Sequence, residues 1–247
     1  ITERIEADSP EEDLEIMDKR VVDARVKSLD VKMMNRIKSC LSNPKNCANN
    51  TKKLFNFKSE KRSNLVIYTG KILHLDGDKK YSEKSIRYYK SLGLNAIVKN
   101  IPENRQAQFI PSLLEKYKPD ILVLTGHDGM IKKNTGFNDI YNYRNSRHFI
   151  NTVREARRWS KNGRDLAIFA GACQSYYEAI MSEGANFASS PGRIMIDFID
   201  PLIIAERIAT TENTKYLTIQ DIKDELRDGE EGRPGIGTMG KRIVKTQ

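Results

Sequence analysis

A cysteine and a histidine at the ends of two predicted strands are the residues of this sequence best suited to nucleophilic catalysis. Cys173 lies in "AGACQSYY", directly after the apolar segment "DLAIF" and before a predicted helix. His127 lies in "TGHDG", directly after the apolar segment "DILVL". A thiol nucleophile needs a base or a positive charge nearby, and amide donors for the oxyanion of the attacked carbonyl. The two residues therefore indicate a thiol hydrolase, and the alternative is a small structural thiol packed at a strand end.

The sequence contains three histidines, and all of them precede Cys173. This order excludes papain-like proteases and class I glutamine amidotransferases, in which the histidine follows the cysteine. His148 lies within a predicted amphipathic helix, where we expect a partly packed side chain, and His74 lies within a predicted strand, where we expect a hydrogen-bonded one. His127 follows a strand directly and has glycines close by on both sides, which leaves room for another chain to approach. We therefore predict that His127 is the base.

Short apolar segments alternate with amphipathic segments from residue 64 onward. The predicted strands are "NLVIYTG", "KILHLDGD", "NAIVKNI", "DILVLTG", "DLAIFAG" and "NFASSP", and helices are predicted between them and over "DPLIIAERIA" and "TIQDIKDELR". One helix contains Pro111, where we expect an interruption or a kink. This alternation predicts an α/β sandwich with a mainly parallel central sheet. The carboxyl ends of such strands carry the chemistry, so His127 and Cys173 would face one cleft if their strands are neighbours.

The first 62 residues differ from the rest of the chain in composition. The segment "DVKMMNRIKSCL" has apolar residues at helical spacing, and "NPKNCANNTKK" is rich in turn formers and lysine. We predict a helical arm and linker over residues 1–62 and one α/β domain over residues 63–247. Three cysteines without a CxxC pair predict neither a disulfide framework nor a structural zinc site. Cys40 and Cys47 are therefore expected to be free thiols in a reducing compartment.

The formal net charge of +9 would favour polyanions through long-range attraction. The Lys and Arg residues are interspersed with Asp and Glu, however, and no basic segment alternates with aromatic residues as a nucleic-acid platform requires. We therefore expect a solvated basic surface and no nucleic-acid partner. No apolar segment approaches the roughly 18 residues of a membrane span, and the acidic start "ITERIEADSPEED" is unlike a signal peptide. We expect a soluble protein without a membrane partner.

The order and spacing of the two candidate residues resemble those of caspase-like cysteine peptidases. Cys173 follows His127 by 46 residues (173 minus 127), close to the roughly 50 that separate the two residues in caspases. The strings "LHLDGD", "PDILVLTGHDG", "NYRNSRHF", "AGACQSYYEA" and "GANFASSP" more specifically resemble the YabG family of sporulation-specific peptidases, over about residues 64 to 245. The resemblance implies a caspase-like α/β sandwich.

The resemblance also implies an activity and a place of action. The protein would be a cysteine endopeptidase in the cytoplasm of the mother cell of a spore-forming bacterium, and an association with the spore coat is a further expectation. Its substrates would be spore coat and germination-related proteins, cut after Arg, and no cofactor or metal is implied. The family usually carries a small β-rich module before the helical arm, and nothing in this sequence corresponds to it. We therefore expect a truncated or processed chain.

The resemblance assigns catalytic roles to three consecutive positions and one cysteine. Cys173 would be the nucleophile, and His127 would be the base that later protonates the leaving amine. The backbone N–H groups of Cys173 and of the loop after His127, at Asp128 and Gly129, would bind the oxyanion. Caspases have His-Gly at this place, whereas Asp128 here precedes Gly129, so either amide of the loop is a candidate donor.

Preference for a cationic side chain requires a carboxylate in or near the substrate pocket. Asp76 and Asp78, after the first core strand, occupy the region where caspase-like enzymes place a specificity residue, and ordinary Asp-Gly turn chemistry is the alternative. Ser189 and Ser190 could pair with the substrate main chain, or they could simply form a turn before Pro191. We predict these four residues as specificity candidates.

Two rival functions remain open from the sequence. Another cysteine hydrolase, such as an amidase, could use the same His127 and Cys173. A flavodoxin-like binding module could instead use Cys173 only for packing.

Overall fold

The computed structural model describes residues 65–131, 136–160, 165–226 and 235–246. The strands are β1 (Leu65–Tyr68), β2 (Ile72–Asp76), β3 (Ala96–Asn100), β4 (Ile121–Thr125), β5 (Ala167–Ala170), β6 (Phe187–Ala188), β7 (Tyr216–Leu217), β8 (Thr238–Met239) and β9 (Ile243–Thr246). The helices are α1 (Lys79–Ser91), α2 (Glu103–Tyr117), α3 (Ser146–Trp159), α4 (Tyr177–Ser182) and α5 (Asp200–Thr210). The predicted arm over residues 1–62, with Cys40 and Cys47, lies outside the described residues.

The central sheet has five strands in the order β3-β2-β4-β5-β6, and every neighbouring pair is parallel. All residues of β2, β4 and β5 are buried, as expected for strands that are covered on both faces. The predicted α/β fold with a mainly parallel central sheet is therefore confirmed.

Helices cover both faces of this sheet. On one face, α2 and α3 pack against the strands through a core that includes Leu73, Leu75, Ile110, Leu114, Leu122, Leu124, Phe149, Val153 and Ile168. On the other face, α1 contacts β2 and β3, and α5 contacts β4 and β5. Burial of each leucine or phenylalanine contributes about 1.5–3 kcal/mol to folding. The sheet is thus a rigid support for the loops at its edges.

Three local predictions differ from the structure. The first predicted strand, β1, pairs with β9 in an antiparallel two-stranded sheet and not with the central sheet. Helix α2 runs through Pro111, so the expected interruption is absent there, while the alternative of a kink stays a prediction. The segment "TIQDIKDELR" forms two 3₁₀ turns, Ile219–Asp221 and Lys223–Glu225, instead of an α-helix. Its buried Ile219 and Ile222 are three residues apart, which is the repeat of a 3₁₀ helix.

The loops after β2, β4, β5 and β6 lie at the same edge of the sheet because these strands are parallel. Across the described ranges, no helix is long and apolar enough to span a bilayer. Within these described ranges, no group of three or more His, Cys, Asp and Glu side chains is placed to hold a metal ion.

Candidate active site

His127 and Cys173 follow β4 and β5, which are adjacent parallel strands. The sequence-based condition that their strands are neighbours is therefore met. His127 comes two residues after Thr125, and Cys173 comes three residues after Ala170. Both candidate residues thus lie at the carboxyl edge of the sheet.

The imidazole of His127 is held by Asp78. Its Nε2 is 2.9 Å from Asp78 Oδ2, and 56% of the His127 side chain is exposed. Asp78 is also the N-cap of α1, where its Oδ1 accepts from the backbone N–H groups of Lys80 and Tyr81. A carboxylate is favoured at this position because the first amides of a helix lack intrahelical acceptors. The helix start therefore fixes the carboxylate that orients His127.

The environment of Asp78 keeps it ionised. Burial alone would raise the pKa of this carboxyl, but hydrogen bonds from His127, Tyr81 and Lys80 together lower it below its ordinary value. An ionised Asp78 accepts a hydrogen bond from the Nε2–H of His127 and so fixes the orientation of the imidazole ring.

Asp76, two residues before Asp78, belongs to a buried polar network. Its Oδ2 accepts from Thr125 Oγ1 at 2.6 Å, and its Oδ1 accepts from the N–H of Asp78 at 2.7 Å. Thr125 Oγ1 is 2.7 Å from Nε2 of His74, whose Nδ1 is 3.2 Å from the Tyr89 hydroxyl. His74 is therefore the hydrogen-bonded strand histidine that the sequence predicts. Asp76 supports the turn that carries Asp78.

Burial shifts the pKa values of Asp76 and His74 in opposite directions. It raises the pKa of Asp76 to about 6, and it lowers the pKa of His74 to about 3. His74 is therefore neutral at physiological pH, so its Nε2, which lies 3.8 Å from Asp76 Oδ2, forms no ion pair with that carboxyl group.

The loop that carries Cys173 follows an unusual backbone path. Gly171 has φ +115° and Gln174 has φ +54°, and a left-handed conformation is uncommon for a residue other than glycine. The N–H of Gln174 donates to Ile194 O and to Ser190 Oγ, both at 3.1 Å. Ser190 itself has φ +61°. Such backbone strain clusters at active sites, where the surrounding contacts hold it in place.

The segment over residues 191–199 lies against Cys173. Cys173 Sγ is 3.8 Å from the carbonyl oxygen of Ile196, a weak contact of a thiol donor. Two residues later, the Phe198 ring lies 5.5 Å from the ring of Tyr81. This segment therefore forms one wall of the site.

Tyr81 of α1 lies beside His127 and beside the segment that contacts Cys173. Its ring centroid lies 6.0 Å from that of His127, with the rings edge to face. Its ring also lies 5.5 Å from that of Phe198, which follows by two residues the Ile196 whose carbonyl oxygen contacts Cys173 Sγ. Burial raises the pKa of the Tyr81 hydroxyl. Tyr81 therefore connects the surroundings of the histidine with the segment that lies against the cysteine.

Asp128 connects the histidine loop to the cysteine loop. Its Oδ1 accepts from the N–H groups of Gly129 and Asn145, and its Oδ2 accepts from the hydroxyls of Ser146 and Ser175. The Ser175 hydroxyl accepts in turn from the N–H of Ala172, next to Cys173. Burial raises the pKa of Asp128, although these hydrogen bonds oppose the rise. The side chain of Asp128 is thus a structural link between the two loops.

These bonds narrow the choice of oxyanion donors in the histidine loop. The N–H of His127 donates to Glu103 Oε1 at 2.6 Å, and the N–H of Gly129 donates to Asp128 Oδ1 at 2.9 Å. The N–H of Asp128 has no acceptor among the residues that the structure describes. Of the two loop amides predicted as oxyanion donors, the N–H of Gly129 already has an acceptor within the protein. The N–H of Asp128 is therefore the remaining candidate.

The predicted specificity residues have different environments. The Asp76 side chain is 6% exposed, whereas that of Asp78 is 28% exposed beside His127. The Ser189 N–H donates to Ala170 O, and the Ser190 hydroxyl donates to Ile194 O. The backbone N–H of Ser189 and the hydroxyl of Ser190 therefore already form hydrogen bonds within the protein.

Arg193 is a buried cation next to this site. Its guanidinium lies 5.3–5.7 Å from the ring centroids of Phe137, Tyr143 and Tyr176. It also donates to the Tyr143 hydroxyl at 2.7 Å and forms an ion pair with Glu178. We call these four partners the arginine cage. The cage anchors the start of the segment that contacts Cys173.

Sequence reasoning missed Glu103 and the linking role of Asp128. A glutamate at the start of a helix is common, because the helix dipole favours it there. The sequence feature that could have indicated the Glu103 contact is a pair of glycines, Gly77 and Gly126, directly after two strands. Such glycines indicate that another group lies close to both strand ends.

Comparison with known proteins gives two findings. The sequence model of the YabG peptidase U57 family matches residues 1–246. The chain is also similar to the sporulation-specific protease YabG of Bacillus subtilis (strain 168), with 42% identity over 171 residues. This region covers 69% of the chain and 59% of the relative, so the chain spans less than two thirds of the length of the curated relative it matches. The family predicted from the sequence strings is confirmed.

Proposed function

The chain belongs to the YabG peptidase U57 family, and we propose that it is a cysteine endopeptidase of sporulation that uses His127 and Cys173. Its substrates would be spore coat and germination-related proteins, and the cut would follow Arg. The mother-cell cytoplasm, with association at the spore coat, is the proposed place of action. The observation that carries the proposal is the position of His127 and Cys173 after adjacent parallel strands, with Tyr81 beside His127 and beside the segment that contacts Cys173.

In the proposed reaction, His127 takes the proton of the Cys173 thiol, and the thiolate attacks the carbonyl carbon of the scissile peptide bond. The N–H groups of Cys173 and Asp128 donate to the oxyanion. His127 then gives its proton to the leaving amine as the C–N bond breaks, which leaves a thioester on Cys173. Water loses a proton to His127 and attacks the thioester, and the departing sulfur recovers that proton.

The contact with Asp78 supports one orientation of the imidazole for this reaction. Because Nε2 bonds Asp78 Oδ2 at 2.9 Å, Nδ1 is the nitrogen that would exchange a proton with Cys173. The carboxylate also favours the imidazolium that forms during the first step. Asp78 therefore acts through His127 as a positioning residue.

Acidic side chains near His127 support a preference for Arg. Asp78 accepts from the His127 ring, and Asp76 lies two residues before it. Asp76 is less suited to contact a substrate, because its side chain is only 6% exposed, whereas that of Asp78 is 28% exposed. Of the two predicted aspartates, we therefore favour Asp78 as the residue that also attracts a cationic side chain.

Cleavage of fluorogenic peptides by the purified full chain tests the proposal. We expect a peptide with Arg before the scissile bond to be cut faster than matched peptides with Lys or a neutral residue there. The variant Cys173→Ala should lose cleavage, and His127→Ala should lose about 100-fold or more of kcat. Undiminished cleavage by Cys173→Ala would contradict the proposal.

The chain offers matched controls for both substitutions. Cys40→Ser and Cys47→Ser remove the other two thiols of the sequence, and both variants should retain activity. His148→Gln removes a histidine of α3 and should also retain it. Hydrolysis of simple amides without cleavage of peptides or of a coat-protein extract would instead favour the amidase.

A further inference from the structure

Glu103, the first residue of α2, reaches across the ends of two central strands. Its Oε1 accepts from the N–H of His127 at 2.6 Å. Gly77 directly follows β2, and Gly126 directly follows β4. A Cβ at Gly77 would lie 2.2 Å from Glu103 Oε1, and a Cβ at Gly126 would lie 2.1 Å from the same atom. The carboxylate thus occupies the space that any larger residue at either position would need.

The two strand ends beneath Glu103 lead directly to Asp78 and His127, the two residues joined by the hydrogen bond at the imidazole. Asp78 follows Gly77, and His127 follows Gly126. The N–H of Gly77 donates to Thr125 O at 3.0 Å, so the two ends are also joined directly. A side chain that binds here is able to fix the relative position of both loops.

We infer that Glu103 is a positioning residue, whose carboxylate holds the backbone of His127 while Asp78 holds the ring. This inference rests on the proposed peptidase function. More than half of the His127 side chain is exposed, so packing alone does little to fix it. Hydrogen bonds at the ring and at the amide together restrict the imidazole to one place. A displacement of about 1 Å in a reacting group reduces the rate by about 100-fold.

The pair Glu103→Ala and Glu103→Gln tests the hydrogen bond in the full chain. The alanine removes the acceptor, and we expect kcat to fall by about 10- to 100-fold while KM changes by less than about twofold. The glutamine keeps a carbonyl oxygen that can accept from His127, so its kcat should stay within about threefold of the unsubstituted protein. Glu115→Ala, at the other end of α2 with a side chain 69% exposed, is the matched control and should leave kcat unchanged.

Gly77→Ala tests the same contact without changing Glu103. The added methyl group would meet the far end of a flexible side chain, so the carboxylate should turn away and release His127 while the protein remains folded. We expect a loss of kcat close to that of Glu103→Ala. In the double variant the methyl group meets no carboxylate, so Gly77→Ala should add less than about twofold to the loss caused by Glu103→Ala.

The outcomes separate this inference from the proposed function. Unchanged kcat in Glu103→Ala, an equal loss in Glu103→Gln, or full additivity of the double variant would each overturn the role of Glu103. Each of these results stands only if the unsubstituted chain cleaves peptide and Cys173→Ala does not. Failure of that condition would count against the proposed function itself. Thermal unfolding of every variant verifies that a lost activity is not lost folding.

Discussion

The histidine side and the cysteine side of the site are held in different ways. Carboxylates hold His127, since Asp78 binds its ring and Glu103 binds its backbone. The Cys173 loop depends on its backbone path, with Gln174 in a left-handed conformation and its N–H bound to Ser190 and Ile194.

This difference matches what each group has to do in the proposed reaction. A base must carry a positive charge for part of the cycle, and nearby carboxylates favour that charge. A nucleophile must instead be presented at one angle, with its own N–H directed at the oxyanion, and a fixed backbone does this. Carboxylate changes should therefore affect proton transfer, and changes near Gln174 should affect the placement of Cys173.

Loss of the link between the two sides should have the largest effect. Asp128→Ala leaves two backbone N–H groups and two serine hydroxyls without their acceptor, at a cost of about 2–4 kcal/mol in the free energy of unfolding. Peptide cleavage should fall by more than about 100-fold. Asp128→Asn keeps an acceptor for the two amides, so it should lose less stability and less peptide cleavage than Asp128→Ala.

Chemical denaturation and peptide cleavage measure these two quantities for Asp128. Asp139→Asn, which changes a carboxylate that caps an exposed turn through Tyr141, is the control and should change the free energy of unfolding by less than about 0.5 kcal/mol. Equal activity of Asp128→Ala and the unsubstituted protein would show that the two sides are independent.

The next effect in size concerns only the histidine side. Asp78→Ala removes the partner of His127 Nε2, and we expect kcat to fall by about 100-fold. A positioning role predicts this loss with Arg and neutral peptides alike, whereas a specificity role predicts a selective loss with Arg peptides. A panel of peptides that differ only before the scissile bond distinguishes the two roles, and unchanged kinetics would exclude both.

Asp76 should make stability depend on pH. Its pKa is raised to about 6, above the ordinary value near 3.8, so the folded state favours the protonated form. The resulting stabilisation is complete below about pH 4 and is lost as the pH rises through about 6. At pH 8, Asp76→Asn should therefore be more stable than the unsubstituted protein by about 2–3 kcal/mol.

Denaturation at pH 4 and at pH 8 measures this difference between Asp76→Asn and the unsubstituted protein. Glu206, whose pKa burial raises to about 7, titrates in both proteins and cancels in the comparison. An equal advantage of Asp76→Asn at both pH values would contradict the assignment.

The smallest effect is expected on the cysteine side. Ser190→Ala removes one of the two acceptors of the Gln174 N–H, and Ile194 O remains as the other. We expect kcat/KM to fall by about fivefold, which corresponds to the roughly 1 kcal/mol of a single hydrogen bond. Ser189→Ala is the control, because the buried Ser189 hydroxyl has no partner in the described part of the chain. A larger loss in Ser189→Ala than in Ser190→Ala would contradict this view.

The strands and the positions of His127 and Cys173 could be predicted from the sequence. Continuous apolar segments identify strands covered on both faces, and parallel strands bring their carboxyl ends to one edge. The separate pairing of β1 with β9 could not be predicted, since a short apolar segment does not specify its partner strand.

The side-chain bonds of the site were harder to predict. Asp76 and Asp78 look equivalent in "LDGD", yet one ends a buried strand and the other caps a helix. The contact of Glu103 with His127 depends on where α2 begins, 24 residues earlier in the chain. Such contacts follow from loop geometry, which residue type and spacing alone do not determine.

The arginine cage has a consequence for self-digestion. A peptidase with the proposed preference for Arg would meet arginines of its own copies as possible substrates. Arg193 lies on the segment that touches Cys173, but its guanidinium is enclosed by aromatic rings and paired with Glu178. The Arg193 side chain would therefore not be available to the substrate pocket of another copy, and under the proposed specificity this segment would resist cleavage.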